Sequence, residues 1–539
     1  MATVTNINDV LDGHVTLVVD CCDRLLLNAY VPKLQTSGQV ASFMRDHLGK
    51  PIPSPAVMDQ IGNRFRRDVK SYASRHKIPI LHLKKPDRTR WDDRKLDHVR
   101  PYLERAERAG RYGVVAIVQV QEFQWVFSAK DRSATPGRPY FQFVREQRRV
   151  GVYYFYVLDP TFGPSFVKIV TFFPYPAKVW ANGHEWAKRQ AEREGITFRS
   201  LQNGFAACSN PERLQAICDR FGPDDLQELF DRWIVEIPRP LTDADREAGY
   251  FWELSMRQVE VSRTVVFDDP RRARRFFESL VQDNIDIGRP ESVSMVFSRR
   301  VTKRTKEPFR ERVFTAGSDV RLDFSYKHSR VKQYLKEGRA YRIETVVNKP
   351  ADLGLRSRIA NLPELVARAR AVNERVLSIE RAGQGCAIGS ALFERIHQPY
   401  AREGQRTGAL RFGDVRAMAL AGALCCLVHA VTGITNKSLR GLVAGLLGTD
   451  YSTNQMSYDL RRLRLHGIIE RVAGTNTYRL TTDGIRVAVF YTKVRARILG
   501  PLLEAHDAPS APLELRRALM TIDRVVGDYV TNARMGIAA

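Results

Sequence analysis

Apolar residues alternate with polar ones, or gather into β-branched runs, over the N-terminal two thirds of the chain. The final third switches to the spacing of amphipathic helices. In HVTLVVDCCDRLLLNAYVP, Val15, Leu17 and Val19 open a strand predicted to end at Asp20, followed by a helix-permissive stretch. GVVAIVQVQEFQWVF at 113–127 reads as a buried strand with a mixed continuation, and SATPGRP at 133–139 as a loop. Two aromatic, β-branched strands then flank the turn DPTFGP, and a third, AKVWA, meets a turn signal at Asn182–Gly183. A helix is expected from near His184 to Gly195, with further helices at 211–221, 224–235 and 270–283. SVSMVFSRRVTK, RERVFTAG, VRLDFSYKHS and AYRIETVVN read as basic strands. The long helix PELVARARAVNERVLSIERAG follows, with Leu365, Val372 and Leu377 on its apolar stripe.

These elements predict an α+β multidomain protein with N-terminal and central mixed or antiparallel sheets plus helices, and a C-terminal winged helix-turn-helix. The expected blocks are an α/β domain at 1–132, an α+β domain at 140–290, and a basic sheet plus helix at 291–384. That third block either stands alone or forms one unit with the second. A winged-helix domain at 411–500 and a helical tail at 501–539 complete the chain.

The C-terminal pattern is the most specific. RFGDVRAMALAGALCCLVHAV reads as one helix and TNKSLRGLVAGLLG as a second, with Asn436 a candidate cap and Leu439, Val443, Leu446 and Leu447 as its core stripe. Ser452 caps a third helix whose Met456, Leu460 and Leu463 face inward, and Gly467 ends it. IIERV and TYRLT form a hairpin with AGTN at its tip, and a last helix starts at Thr482 or Asp483. The run DLRRLRLHGIIER followed by YRLTTDG resembles the winged-helix DNA-binding family, in particular its MarR-like and ArsR-like branches. The resemblance implies that the third helix enters the major groove and the wing touches adjacent backbone. It assigns Thr453, Asn454, Gln455, Ser457, Tyr458, Arg461 and Arg462 to the outward side of that helix and Arg471 and Arg479 to the wing. Winged helices also serve as protein-assembly modules.

Charge sharpens the choice of partner. Lys and Arg number 85 against 60 Asp and Glu, a formal charge of +25 in 539 residues. Such an excess favours DNA, RNA or both, because each cation set against a phosphate releases condensed counterions. Between 297 and 342, fourteen Lys or Arg face five Asp or Glu. Within that stretch Lys327, Arg330, Lys332, Lys336, Arg339 and Arg342 are the candidate phosphate contacts. The chain has no apolar run of membrane-spanning length, no amphipathic basic helix and no secretion signal, so a membrane partner is not expected. Seven cysteines without CxxC spacing fit small core residues in a reducing cytoplasm, with nucleoid association and homo-oligomerisation as options.

No Walker loop, GxGxxG, HExxH or GxSxG occurs, which removes local support for nucleotide hydrolysis, dinucleotide redox, zincin and α/β-hydrolase chemistry. A metal-dependent nuclease or strand-transfer enzyme instead needs carboxylates converging from separate strands on Mg²⁺ or Mn²⁺. Asp20, Asp159 and Glu344 sit singly at or near strand ends and are the candidate catalytic and metal-binding set, with Glu185 a fourth carboxylate. The structural alternatives are turn residues at Asp20 and Asp159, a first-turn helix residue at Glu185 and a solvent-facing strand position at Glu344.

The stretch from Tyr326 to Glu344 resembles a segment of phage and plasmid rolling-circle replication proteins, through Tyr334, Lys336, Arg342 and Glu344. The His-hydrophobe-His metal pair of that family has no counterpart here. Aromatics interleave with cations at Tyr326, Lys327, Tyr334, Lys336 and Tyr341, and again at Phe172, Phe173, Tyr175, Lys178 and Trp180; the second group reads equally as sheet core. The expectation is a nucleic-acid-binding protein of mobile-element or defence type, with a Mg²⁺-dependent processing site. A non-enzymatic DNA-binding regulator or replication initiator and a guide-RNA-binding effector are the alternatives.

Overall fold

The computed structural model describes residues 11, 13–83, 93–133, 140–283, 311–316, 319–383, 390–402, 404–426 and 434–494, with four single positions beyond. The strand expected in SVSMVFSRRVTK and nearly all of the helical tail at 501–539 lie outside them. The chain divides into two compact units, one of Asp9–Ser279 with Glu307–Asn373, the other of Met1–Asn8, Leu280–Lys306 and Glu374–Ala539.

The first unit is built on one sheet. Its strands are β1 (Val15–Tyr30), β2 (Ile80–His82), β3 (Gly113–Asp131), β4 (Phe141–Asp159), β5 (Gly163–Val170) and β6 (Ala177–Asn182). A separate short hairpin, β7 (Phe198–Leu201) and β8 (Gly204–Cys208), precedes β9 (Glu253–Phe267). β10 (Glu311–Ala316), β11 (Asp319–Tyr326), β12 (Ser329–Lys336) and β13 (Ala340–Val347) complete the set. Eleven strands run in the order β10-β11-β12-β13-β9-β1-β6-β5-β4-β3-β2, all antiparallel except β2 beside β3. The fold is therefore α+β, and the expected N-terminal, central and basic blocks contribute to a single sheet rather than to separate ones. β1 and β9 are the reason. β1 runs past Asp20 to Tyr30, because LLLNAY finds strand partners on both sides and this outweighs its local helix preference.

Helices α1 (Pro55–Arg75), α2 (Asp93–Arg108), α3 (Gly183–Arg193), α4 (Pro211–Arg220), α5 (Pro223–Glu236) and α6 (Pro270–Asp283) are interspersed among the strands in sequence, and α7 (Leu362–Gly383) follows the last of them. α2 packs Val99 and Leu103 onto Val118, Val120, Val152 and Tyr154, forming the core over one face of β3 and β4. The Asn182–Gly183 pair does not turn a hairpin. Asn182 caps α3 by accepting from the amides of His184 and Glu185, and Gly183 lets the helix start press against β1. A Cβ on Gly183 would lie 2.0 Å from the Cys22 carbonyl oxygen.

In the second unit α8 (Ser390–His397) and a short hairpin of β14 (Tyr400–Arg402) and β15 (Gln405–Thr407) precede α9 (Val415–Cys426), α10 (Asn436–Leu447) and α11 (Thr453–Leu465). β16 (Ile469–Arg471) and β17 (Tyr478–Leu480) pair as a hairpin, and α12 (Thr482–Val494) follows. Thr435, not Asn436, caps α10; Ser452 caps α11 in a reciprocal box with Gln455. Leu439, Val443, Met456, Leu460 and Leu463 are buried, whereas Leu446 is exposed.

Gly183→Ala should lower stability by about 1–3 kcal/mol, the usual cost of forced overpacking, in chemical denaturation. Gly38→Ala, with nothing within 4 Å of its added carbon, serves as the control.

Candidate functional site

Strand register decides which charged side chains meet. Lys332 lies opposite Glu344 and Tyr334 opposite Arg342 across β12–β13, and Glu344 lies opposite Ser262 of β9, which in turn faces Cys21 of β1. All of these project from one face, since cross-strand partners share a side and neighbours alternate. Between Cys22 and Leu25 the β1 register slips against Val261 and Val259, giving β1 one extra residue opposite Glu260. This β-bulge turns Asp23 toward the same face.

The product is a buried cluster of three carboxylates. Oxygens of Asp23, Glu260 and Glu344 lie within 4.8 Å of one another, and this is the one such group with metal-ligand geometry among the described residues. Arg342, fully enclosed, reaches Asp23 at 2.6 Å and Glu344 at 3.0 Å. Its guanidinium also donates to the Asn203 carbonyl and approaches His184 Nε2 at 3.1 Å. Gly204 leaves room for this approach, because a Cβ there would meet Arg342 Nη1 at 2.9 Å. Lys332 sits 3.4 Å from Glu344 and 3.7 Å from Glu260, and Tyr334 Oη donates to Glu344 at 2.6 Å. Glu260 Oε2 is buried without a hydrogen-bond partner, so the cluster keeps an unused acceptor. Three carboxylates with a spare oxygen suit a hard divalent cation such as Mg²⁺ or Mn²⁺.

The carboxylates are not equivalent. Burial pushes Asp23 up, but Arg342, Arg24 and a hydrogen bond from Asn203 outweigh it and hold the acid below its ordinary range. Burial raises Glu260, and although Lys332 opposes this, Glu344 and Asp23 add to the rise. Burial, then Arg342 and Lys188, drive His184 well below the usual histidine range, so the ring is neutral and accepts from Arg342. Burial and the nearby Glu344 push the Tyr334 hydroxyl up, which keeps it a donor.

The rim is basic and aromatic. Arg24 is exposed, and Lys336 and Tyr334 are half-buried. Further along the same face, half-buried Lys178 and Trp180 of β6 stand beside Lys168 and Phe166 of β5, with the Trp180 and Phe166 rings stacked at 6.1 Å and 8°. Burial, with Lys168 and Arg257 nearby, lowers Lys178 to about 8. Phe173 and Tyr175, by contrast, are core residues.

Of the expected carboxylates only Glu344 belongs here. Asp20 pairs with Arg263, opposite Ile343, so it projects from the other side of the sheet, where Arg263 binds it at 2.9 and 2.7 Å. Asp159 ends β4, five strands from β13 and roughly 24 Å away at the usual strand spacing. It is spent on the turn that follows, accepting from the amides of Thr161 and Phe162, and on Arg232 and Trp233. Glu185 pairs with Lys188 and Arg189. Asp23 and Glu260 are not among the carboxylates that the sequence pattern singles out. Glu260 carries a readable signal, the alternation of VEVSRTVV, in which Glu260, Ser262 and Thr264 share a side. Asp23 carries none, because a bulge sets its direction.

Among the expected phosphate contacts, Lys332 and Arg342 are buried and committed to carboxylates, while Lys327, Arg330, Lys336 and Arg339 are partly exposed. On α11, Asn454, Gln455, Ser457, Tyr458 and Arg461 are exposed, although the Gln455 side chain is engaged in the cap. Arg462 is buried against the Gly408 carbonyl and Asp459. Arg471 and Arg479 are exposed on the hairpin, Arg471 bonded to Thr475 and Asn476 and Arg479 to Glu470.

No protein-family model, curated protein or solved structure matches the chain. No helix among the described residues is long and apolar enough to cross a membrane.

Glu260 gives a pH test. Its folded value lies above the ordinary 4.5, so the folded chain binds the proton more tightly and loses stability as pH rises through that window. Asp23 has the opposite sign, adding stability that disappears only as pH falls through its lowered value. In chelator, Glu260→Gln should therefore raise Tm by a few degrees at pH 8, with the gain fading toward pH 4; calorimetry showing no gain at pH 8 would contradict this account.

Proposed function

We propose that the chain is a nucleic-acid-processing protein whose reaction centre is the cluster of Asp23, Glu260 and Glu344. The observation that carries this reading is the meeting of three carboxylates from three strands on one sheet face, beside a basic and aromatic rim. Asp23, Glu260 and Glu344 would hold Mg²⁺ or Mn²⁺, which when bound supplies Lewis-acid activation of water or a hydroxyl and stabilises the leaving oxygen. The chain's own groups do the rest. Tyr334 fixes the Glu344 carboxylate through its hydroxyl, Arg342 holds Asp23 and Glu344 in one orientation, and neutral His184 keeps the guanidinium in place. Arg24, Lys336 and Lys178 lie where a phosphate backbone would track, and Trp180 offers a face for a base.

The order of α9, α10, α11, the β16–β17 hairpin and α12 supports a winged-helix reading for the second unit, with Asn454, Ser457, Tyr458 and Arg461 as its groove-facing residues. The second reading is a non-enzymatic nucleic-acid binder of regulator or initiator type. It draws on the fact that Arg342 and Lys332 already balance much of the cluster's charge.

Incubation with labelled single- and double-stranded DNA and RNA in Mg²⁺ or Mn²⁺ tests the enzymatic reading. Asp23→Asn and Glu344→Gln should cut the cleavage rate by at least the roughly 10–100-fold that outer-shell changes cost, while leaving binding intact. Wild type should also gain Tm in Mn²⁺, and Asp23→Asn should not. Absence of both cleavage and a metal-dependent Tm shift would leave the non-enzymatic reading.

The two adjacent arginines of α11 should separate. Arg461→Ala should weaken duplex binding several-fold and flatten its salt dependence without changing Tm, whereas Arg462→Ala should lower Tm by leaving Asp459 and Gly408 short of a partner. Parallel titrations and thermal melts check both.

A further inference from the structure

β3 and β4 are each longer than the sheet that holds them. β2 pairs with β3 only at Ile117–Gln119 and β5 with β4 only from Val152 onward, so beyond Gln121 and Gly151 the two strands continue as a two-stranded ribbon. Its two sides differ. Val126 and Val150 pack into the core beneath α2. On the other side Phe123, Trp125 and Phe127 succeed one another at strand period, opposite Arg149, Gln147 and Arg145; Phe127 is buried, its amide donating to the Phe173 carbonyl, while Phe123 and Trp125 face outward.

A side turned to water ordinarily carries polar residues. Here Phe123 is 71% exposed and Trp125 55% exposed. No packing within the unit accounts for two large aromatics presented together. Arg145 and Arg149 beside them are exposed, and among the described residues they form no ion pair, whereas Lys130 and Arg148 are matched to Glu146. Flat rings interleaved with uncommitted guanidinium groups complement a chain of phosphates whose bases are free to stack. A duplex hides those base faces; a single strand offers them.

We propose that this side of the β3–β4 ribbon is a platform for single-stranded nucleic acid, with Phe123 and Trp125 stacking on bases and Arg145 and Arg149 meeting phosphates. The proposal rests on the reading of the chain as a nucleic-acid binder, but not on metal chemistry at Asp23, Glu260 and Glu344. Sequence tolerance follows from the chemistry, since every base has a face to stack and the platform offers few groups to read base edges.

The test is fluorescence anisotropy with the full chain and labelled oligo(dT), oligo(U) and a blunt duplex of matched length. Phe123→Ala and Trp125→Ala should each weaken single-strand binding about tenfold, Trp125→Phe should restore most of it, and duplex binding should change little. Arg145→Gln with Arg149→Gln should reduce the salt dependence of single-strand binding, while the aromatic variants should leave it unchanged. The substituted side chains are exposed, so unchanged circular dichroism and Tm are expected for every variant. Single-strand affinity unaltered by both aromatic substitutions would overturn the proposal, as would equal losses for duplex and single strand. Altered self-association with unaltered oligonucleotide affinity would also overturn it, marking the face as a contact between copies. Ribbon-dependent binding with no cleavage under any metal condition would uphold the platform and sink the nuclease reading. Metal-dependent cleavage together with single-strand affinity unchanged by Phe123→Ala and Trp125→Ala would do the reverse.

Discussion

Arg342 is the side chain on which the arrangement of the first unit turns. It has no solvent exposure, and it bonds Asp23 of β1, Glu344 of its own strand and the Asn203 carbonyl that precedes β8. Stripping ions of their water costs several kcal/mol each, and mutual attraction offsets this only when geometry is close and the remaining donors are used. Arg342 goes most of the way to that condition by spreading its two Nη groups over several acceptors, while its Nε faces Glu344 as an ion pair without a hydrogen bond. Removing it would leave Asp23 and Glu344 enclosed with too little positive charge, a loss of about 3–5 kcal/mol by analogy with other broken buried pairs. Gly183 and Gly204 make the geometry possible by letting α3 and the β7–β8 hairpin approach β1 and the guanidinium closely.

Stability alone gives a weak reason for such a cluster. Apolar residues of similar volume commonly replace a buried ion pair at no loss, and sometimes with a gain of about 1–4 kcal/mol. Val259, Val261 and Thr345, on the opposite side of the same strands, show that this sheet packs well without charge. Glu260 sharpens the point. Its acidity is weakened by its surroundings and one of its oxygens lacks a partner, so in the absence of a ligand it is the least satisfied member of the group. Groups that burial and like charge disfavour tend to gather where chemistry is done.

The excess of positive charge is also less uniform than its total implies. Several cations that look available in the sequence are consumed internally: Arg342 and Lys332 by the carboxylate cluster, Lys168 and Lys95 by Glu122, Arg263 by Asp20, and Arg462 by Asp459. Among the described residues, those left to face an external polyanion include Arg24 and Lys336 at the rim, Arg145 and Arg149 on the ribbon, and Arg461 on α11. Long-range attraction depends on the net total, but the contacts that hold a phosphate in place depend on this exposed remainder.

That division explains which features the sequence made legible. The helices at 183–193, 211–220, 223–236 and 362–383 and the buried positions of α11 follow from spacing and caps that each segment carries in itself. Even on α11, the inward turn of Arg462 beside the outward Arg461 is the roughly 100° step of a helix. A sheet position has no such self-sufficiency. Glu344 was recognisable as an unusual acid in an apolar run, but its partners depend on strand order and register. Asp20 looked like the natural companion because it ends a β-branched run, yet one step of alternation sends it to the other side of the sheet. Asp23 reaches the cluster only because β1 continues through LLLNAY and carries a bulge beside Glu260. Both conditions are set by β9 and β6, hundreds of residues away for one and well over a hundred for the other in chain order, so no window around Asp23 contains them.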